Sequence, residues 1–251
     1  MTEEKPIDTG DAKAADGFEP TKEEQVLMLQ HLGDETFVDK QHKTTVNLTK
    51  EEAEKRASLI EEVEYNFQLA LNKGDYYLGS AQINFYLSEE KFEKGQLFIN
   101  TQALAITELT INDTAITDGS IYDGQKIALE TPNVQPGWNT VTLKYLNAYQ
   151  KNSVGLYTFT DTKDNLQYLT SQFEAFHCFK VFPCFDQPSI KAKMTLTVTC
   201  PKDWSPVSNG IETRYEYSDQ KKGQHIVERN NMQWFFDFYD KEQEVSIVTF
   251  E

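Results

Sequence analysis

Arginine is nearly missing from this chain: Arg56, Arg214 and Arg229 are the whole supply in 251 residues. Lysine and arginine together number 24 against 40 acids, a formal net charge of −16. A nucleic-acid surface needs clustered cations to release phosphate counterions, and anionic lipid repels the same acidic excess. Nucleic acid and membrane are therefore both poor partners. Cysteine is sparse and odd in number (Cys178, Cys184 and Cys200), which fits free, mostly buried thiols in a reducing compartment better than a disulfide framework. No run approaches the ~18 consecutive apolar residues of a membrane span. The first twenty residues lack the basic and apolar regions of a secretory signal and the arginines of a mitochondrial presequence. These absences predict a soluble protein of the cytoplasm.

What is present is a core. Hydrophobic residues make up 39% of the chain, with 16 Phe, 12 Tyr and 3 Trp, enough to exclude wholesale disorder; the length predicts one to two domains. The acidity is uneven. Residues 1–40 carry 11 acids and 4 lysines, a net of −7. Residues 1–20 read as a disordered acidic tail. Thr21-Lys22-Glu23-Glu24 is a capping box, and Val26, Leu29 and Leu32 follow at helical spacing up to Gly33, predicting a short helix over 21–32. Its apolar stripe, too greasy for a solvated linker, makes Val26, Leu29 and Leu32 candidate partner-docking residues. The same four letters recur at Thr49-Lys50-Glu51-Glu52 and predict a second helix over 50–63, with Glu51–Lys55 and Glu52–Arg56 as i,i+4 pairs.

Beyond residue 64 the hydrophobic period drops from 3.6 to 2. Tyr65, Phe67, Leu69 and Leu71 alternate with polar neighbours, and Tyr77 to Leu87 does the same after Lys73-Gly74-Asp75, which predicts a hairpin. Further strands are expected at 97–99, 106–111, 122–129, 141–145, 194–200, 225–227, 234–238 and 245–250. Many short strands separated by turn signals predict an all-β fold, an antiparallel sandwich or saddle of sheets. The division is an acidic extension over 1–45 and a β domain over 46–251.

Catalytic templates are hard to find. No two of the four histidines stand four apart, so the H-E-x-x-H helix of a zinc peptidase is absent. His177, Cys178 and Cys184 lack the spacing of a zinc knuckle, and structural thiols are the favoured reading. There is no G-x-S-x-G elbow, P-loop or dinucleotide fingerprint. No catalytic residue, metal or cofactor is expected of this chain.

One stretch is more specific than composition. Tyr168-Leu-Thr-Ser-Gln172-Phe-Glu174-Ala-Phe-His-Cys-Phe-Lys-Val-Phe-Pro183-Cys-Phe-Asp186-Gln-Pro188-Ser-Ile-Lys191-Ala resembles the M1 family of zinc aminopeptidases, in which a T-Q-F-E segment leads into P-C-F-D-x-P-x-x-K-A. Asn47-Leu-Thr-Lys-Glu-Glu-Ala-Glu-Lys-Arg56-Ala, Tyr122-Asp-Gly-Gln-Lys-Ile-Ala-Leu129, Gly155-Leu-Tyr-Thr-Phe-Thr-Asp161 and Pro201-Lys-Asp-Trp204 through Val207-Ser-Asn-Gly210 are similar to other segments of the aminopeptidase N branch, in the same order. The resemblance covers about residues 46–251 and implies the family's N-terminal β-saddle domain. It also implies that Glu174 matches the glutamate that binds the substrate's free α-amine, and Gln172 the glutamine beside it. The basic pair that often follows T-Q-F-E is replaced here within Phe176 to Lys180. The zinc helix and the G-x-M-E-N segment belong to the family's next domain.

Two functions follow. The favoured expectation is a non-catalytic pseudoenzyme, a structural or protein-binding module within a multi-subunit complex, attached to a cytoskeletal or other large assembly. Its partners would be other proteins, and Gln172 and Glu174 would be vestigial. The alternative is the substrate-anchoring N-terminal part of an active M1 zinc aminopeptidase whose catalytic domain lies outside this chain.

Overall fold

The computed structural model describes residues 37–38, 48–88, 95–130, 132–218 and 244–251. Two of the expected strands (225–227 and 234–238), the 21–32 helix and its residues Val26, Leu29 and Leu32 lie outside the described residues. β1 (Phe37–Val38) precedes α1 (Lys50–Leu59), which is followed by β2 (Ile60–Ala70), β3 (Tyr76–Leu87), β4 (Phe98–Asn100) and β5 (Ala105–Ile111). Then come β6 (Thr114–Ala115), β7 (Lys126–Ala128), β8 (Gly137–Ala148), β9 (Gly155–Thr160) and β10 (Gln167–Gln172). β11 (Lys193–Pro201), β12 (Glu212–Ser218) and β13 (Val245–Phe250) complete the order. The fold is the all-β architecture predicted from the period-2 pattern. No helix among the described residues is long and apolar enough to cross a membrane.

The helix begins where its capping box places it. The Thr49 hydroxyl accepts the Glu52 N–H at 3.2 Å while the Glu52 carboxylate accepts the Thr49 N–H at 2.8 Å. The Thr49 N–H, and then the Thr49 hydroxyl, hold the Glu52 carboxyl below its usual range. The helix stops at Leu59, four residues before the expected end, because Ile60 is already extended and pairs with Leu87. Ile60 and Val63 are buried in the sheet, so burial on a strand outweighs one more helical turn. The expected Glu52–Arg56 pair gives way to something else: Arg56 turns inward and is fully buried.

The large sheet runs β1-β5-β8-β3-β2-β11-β13-β12, with β6 paired to β5. It is mixed rather than wholly antiparallel. β11 lies parallel to β2, with Lys193 opposite Glu64 and Thr199 opposite Ala70. A parallel neighbour needs a long crossover, and everything from β3 to β10 lies between β2 and β11. β1 places Phe37 opposite Ile106, so the acidic extension contributes an edge strand to the β body before residue 46.

One face of the sheet is covered by the β4–β7 ribbon and by a strap of irregular backbone, residues 173–190. Phe67 stacks on Phe182 of the strap with ring centroids 4.5 Å apart, and Phe85 meets Phe185 edge-on at 5.3 Å. Leu97, Ile99, Ile127 and Leu129 join Ile83, Val141 and Leu143 in the same core. Each fully buried side chain of this size contributes about 1.5–3 kcal/mol.

Candidate functional site

β9 and β10 form a two-stranded ribbon at the side of this core. Its register sets Leu169 opposite Thr158, Tyr168 opposite Phe159 and Gln172 opposite Gly155. Alternation puts Leu156 and Leu169 on the face that packs on the core. Tyr157, Phe159, Tyr168 and Gln172 share the outer face, where Phe159 and Tyr168 stack at 5.5 Å. At the foot of the ribbon Gly155 adopts a left-handed φ of +74°, and a Cβ there would sit 3.2 Å from Cβ of Lys180. Only glycine lets the ribbon close so tightly on the strap.

Gln172 and Glu174 are both exposed at the end of β10. The Gln172 Oε1 accepts the Glu174 N–H at 2.9 Å, the Glu174–Ala175 peptide is cis, and the His177 N–H donates to the Phe173 carbonyl at 2.9 Å. This turn leads into the 3₁₀ turn Cys178–Lys180. The Glu174 carboxylate meets no side-chain donor among the described residues.

Beneath that exposed carboxylate the strap is held firmly. The Tyr145 hydroxyl donates to the Val181 carbonyl at 2.8 Å, and the Asn147 amide donates to the carbonyls of Lys180 (2.8 Å) and Gln102 (2.9 Å). The Phe185 N–H donates to the Tyr65 hydroxyl at 3.0 Å. Asn100 and Cys184 exchange both backbone bonds, at 2.8 and 2.9 Å. The Arg56 guanidinium donates to Asn100 Oδ1 at 2.7 Å and to Gln187 Oε1 at 3.1 Å, and lies 4.6 Å over the Phe98 ring. Tyr145 reaches the strap because Gly79 faces it across the ladder; a Cβ on Gly79 would fall 2.1 Å from the tyrosine ring.

Burial shapes the charges here. It lowers the Arg56 guanidinium to about 10, still protonated at neutral pH, and raises the Tyr65 and Tyr145 phenols. The Asp186 carboxyl is pushed up by burial, against the opposing pull of the Phe179 N–H and the Arg56 charge. The His177 imidazole is pushed down by burial and by Lys180, with Asp186 opposing. All three cysteines are free, with Cys184 and Cys200 buried and Cys178 half-buried. Among the described residues no three His, Cys, Asp or Glu side chains gather as a metal site.

Chemically, the arrangement is a solvent-facing carboxylate and amide on a rigid base. Such a pair can accept two N–H bonds from a cation, and an ionised acceptor roughly doubles the strength of a hydrogen bond. The structure brings Gln172 and Glu174, named from the resemblance alone, into one turn through the Glu174 N–H bond to Gln172 Oε1. The frame residues were missed. Arg56 was read as a surface residue of α1, and Asn147, a polar residue closing an otherwise alternating apolar strand, was the one available signal.

The Peptidase M1 N-terminal domain model matches residues 61–233. Aminopeptidase N of Streptomyces lividans is 34% identical over 166 residues, 65% of this chain and 19% of that protein. Glutamyl aminopeptidase of Homo sapiens is 30% identical over 93 residues, 36% of this chain and 10% of that protein. The chain therefore spans no more than about a fifth of the length of these curated relatives. A crystal structure of an M1 zinc metallopeptidase from Deinococcus radiodurans aligns with a TM-score of 0.48 and 16% identity, over 76% of this chain and 39% of that one.

Proposed function

Because the chain belongs to the Peptidase M1 N-terminal domain family, we propose that it is the amine-anchoring domain of a metallo-aminopeptidase. In this reading Glu174 and Gln172 hold the free α-ammonium of a peptide. The metal, the general base and the oxyanion donors come from outside these 251 residues, and the chain alone is not an enzyme. The observation that carries it is the contrast along this segment: an exposed, unengaged Glu174 carboxylate at the start of a strap whose residues 180–185 are held by Tyr65, Asn100, Asn147 and Tyr145. A vestigial carboxylate would need no such frame. Orientation of this kind is what a positioning group contributes to catalysis. Two relatives, Aminopeptidase N and Glutamyl aminopeptidase, lend support.

The second reading is the pseudoenzyme module that the sequence favoured. Exposed apolar side chains beside β12 favour it: Val207 is 91% exposed, Ile211 76% and Tyr215 56%. Such a cluster suits a protein partner, though a catalytic neighbour would cover it equally well.

A titration separates the two. A dipeptide amide with a free amine should shift the backbone NMR signals of Gln172 to Ala175, with an affinity of roughly millimolar or weaker for so few contacts. Its N-acetylated twin should shift none of them, and Glu174→Gln should abolish the response. If both ligands act alike, or neither acts, the amine-anchoring reading falls and the binding-module reading stands.

A further inference from the structure

In a chain of net charge −16, two cations converge away from the amine site. On the β4–β7 ribbon Ile99 lies opposite Ile127, and both side chains enter the core. Strand alternation therefore turns Phe98, Asn100 and Lys126 to the other face of the ribbon, the face that Arg56 of α1 meets. Lys126 stands directly opposite Asn100 in the register, and Asn100 Oδ1 accepts the Arg56 Nη1–H at 2.7 Å. Both cations flank one ring: Arg56 Cζ is 4.6 Å and Lys126 Nζ 4.2 Å from the Phe98 centroid. The two charges are separated by no more than the total of those distances. Neither meets an opposite charge. Arg56 is fully buried. Its Nε and Nη1 donate to the neutral amide oxygens of Gln187 and Asn100, and its Nη2 is buried without an acceptor. Among the described residues no carboxylate pairs with Lys126. The acids that feel these cations, Glu52 and Asp186, turn oxygens to the Thr49 and Phe179 N–H groups instead. A guanidinium is ionised at any physiological pH, and a buried charge without a counter-charge is costly.

We propose that Arg56 and Lys126 bind a small monovalent inorganic anion, of halide size, between α1 and the β4–β7 ribbon. Arg56 Nη2 donates to the anion. The Lys126 ammonium, half-buried at the solvent side, supplies the second charge and the way in. A tetrahedral oxyanion would present more acceptor oxygens than one free N–H group and one ammonium can meet, so the site selects a spherical ion. Bound there, the anion ties α1 to the ribbon and stabilises the folded chain by mass action. This inference stands apart from amine anchoring and survives or fails without it.

The test uses the full chain at constant ionic strength, with sodium gluconate replaced stepwise by sodium chloride or sodium bromide. The thermal midpoint should rise and then level off as the site fills. Crystals grown in bromide should show an anomalous peak against Arg56 Nη2. Lys126→Gln removes a half-buried charge outside the core and should weaken the apparent affinity roughly tenfold. Arg56→Met should abolish the saturable response; if that variant does not fold, Lys126→Gln and the bromide peak decide the matter. A midpoint that stays flat or climbs without saturating, an unchanged affinity in Lys126→Gln, the same saturable response to sulfate, or bromide bound only elsewhere would each overturn the proposal.

Discussion

The large sheet and the 173–190 strap are both buried, but their backbones are satisfied by different partners. In the sheet every strand is supported by its neighbour: twelve residues of β3, Tyr76 to Leu87, pair in register with β8. A ladder of that kind spreads support over many equivalent bonds, so no single side chain decides it. The strap has only a 3₁₀ turn and one bridge of its own. Several of its polar groups rely on single side chains from four different elements: Arg56 donates to the Gln187 side chain, Tyr65 and Asn100 accept the Phe185 and Asp186 N–H groups, and Tyr145 and Asn147 donate to the Val181 and Lys180 carbonyls. An unpaired buried polar group costs about 1–3 kcal/mol. The strap should therefore be more sensitive per residue to side-chain changes than the sheet beneath it, and Glu174 rides on the sensitive part.

The largest expected effect comes where the two regions share a residue. Gly79→Ala drives a Cβ into the Tyr145 ring and unhooks Val181 from it. Overpacking and a lost buried hydrogen bond together should cost about 3–5 kcal/mol in urea unfolding. A loss below about 1 kcal/mol would show that Tyr145 is free to move and that sheet and strap are not coupled there.

Next is Arg56→Met, which leaves Gln187 Oε1 without its guanidinium donor and Asn100 Oδ1 with only the Asp186 N–H at 3.3 Å. It should cost about 1–3 kcal/mol, for one stripped acceptor and one weakened. Hydrogen exchange sharpens the comparison: amides of Phe179, Cys184 and Phe185 should exchange faster while the β3–β8 ladder keeps its protection. Equal acceleration in both regions would break the distinction. Tyr145→Phe removes one bond alone and should cost about 1–2 kcal/mol, again read most clearly at the strap amides.

Smaller still is a pH effect. Burial and Lys180 hold the His177 imidazole below its usual value of 6.5. The folded chain therefore binds fewer protons than the unfolded one as pH falls through this range, and stability present above 6.5 is lost as pH drops through the folded value. Stability measured from about pH 8 down to about pH 5 should decline less steeply in His177→Gln than in the wild type. Parallel curves would assign the slope to other groups. The smallest effect belongs to Glu174→Gln, which should move stability by no more than about 0.5 kcal/mol because the side chain is exposed. In an assembled aminopeptidase the same change should lower kcat/KM for free-amine substrates by roughly 10- to 100-fold. A large stability loss with unchanged turnover would reverse the roles assigned to the two regions.

The sheet was legible because its signal is local. Phe67 and Leu69 on β2, Ile83 and Phe85 on β3, and Val141 and Leu143 on β8 alternate with polar residues, and any such run must bury one face. The capping box at Thr49 was legible for the same reason, its partners being three residues apart. β9, β10 and β12 escaped the pattern. Their burial does not alternate cleanly: Phe159, Tyr168 and Tyr215 are apolar and exposed. The parallel neighbour β11 was not visible either, since strand alternation carries no direction. Gln172 and Glu174 were found through the motif around them, which says which residues matter and not how they are held.

By itself, then, the sequence determined the β body, the first turn of α1 and the kinship of the Ser171 to Ala192 stretch. Each depends on residues within a few positions of one another or on composition. Only the tertiary structure decided that Arg56 faces inward, that Gly79 makes room for Tyr145, and that Asn147 holds the Lys180 carbonyl. Arg56 and Gln187 lie 131 residues apart, and Tyr65 and Phe185 are 120 apart. Contacts so distant leave no periodicity in the chain, because which polar group is satisfied by which is settled when the strap lies down on the sheet and excludes water from both.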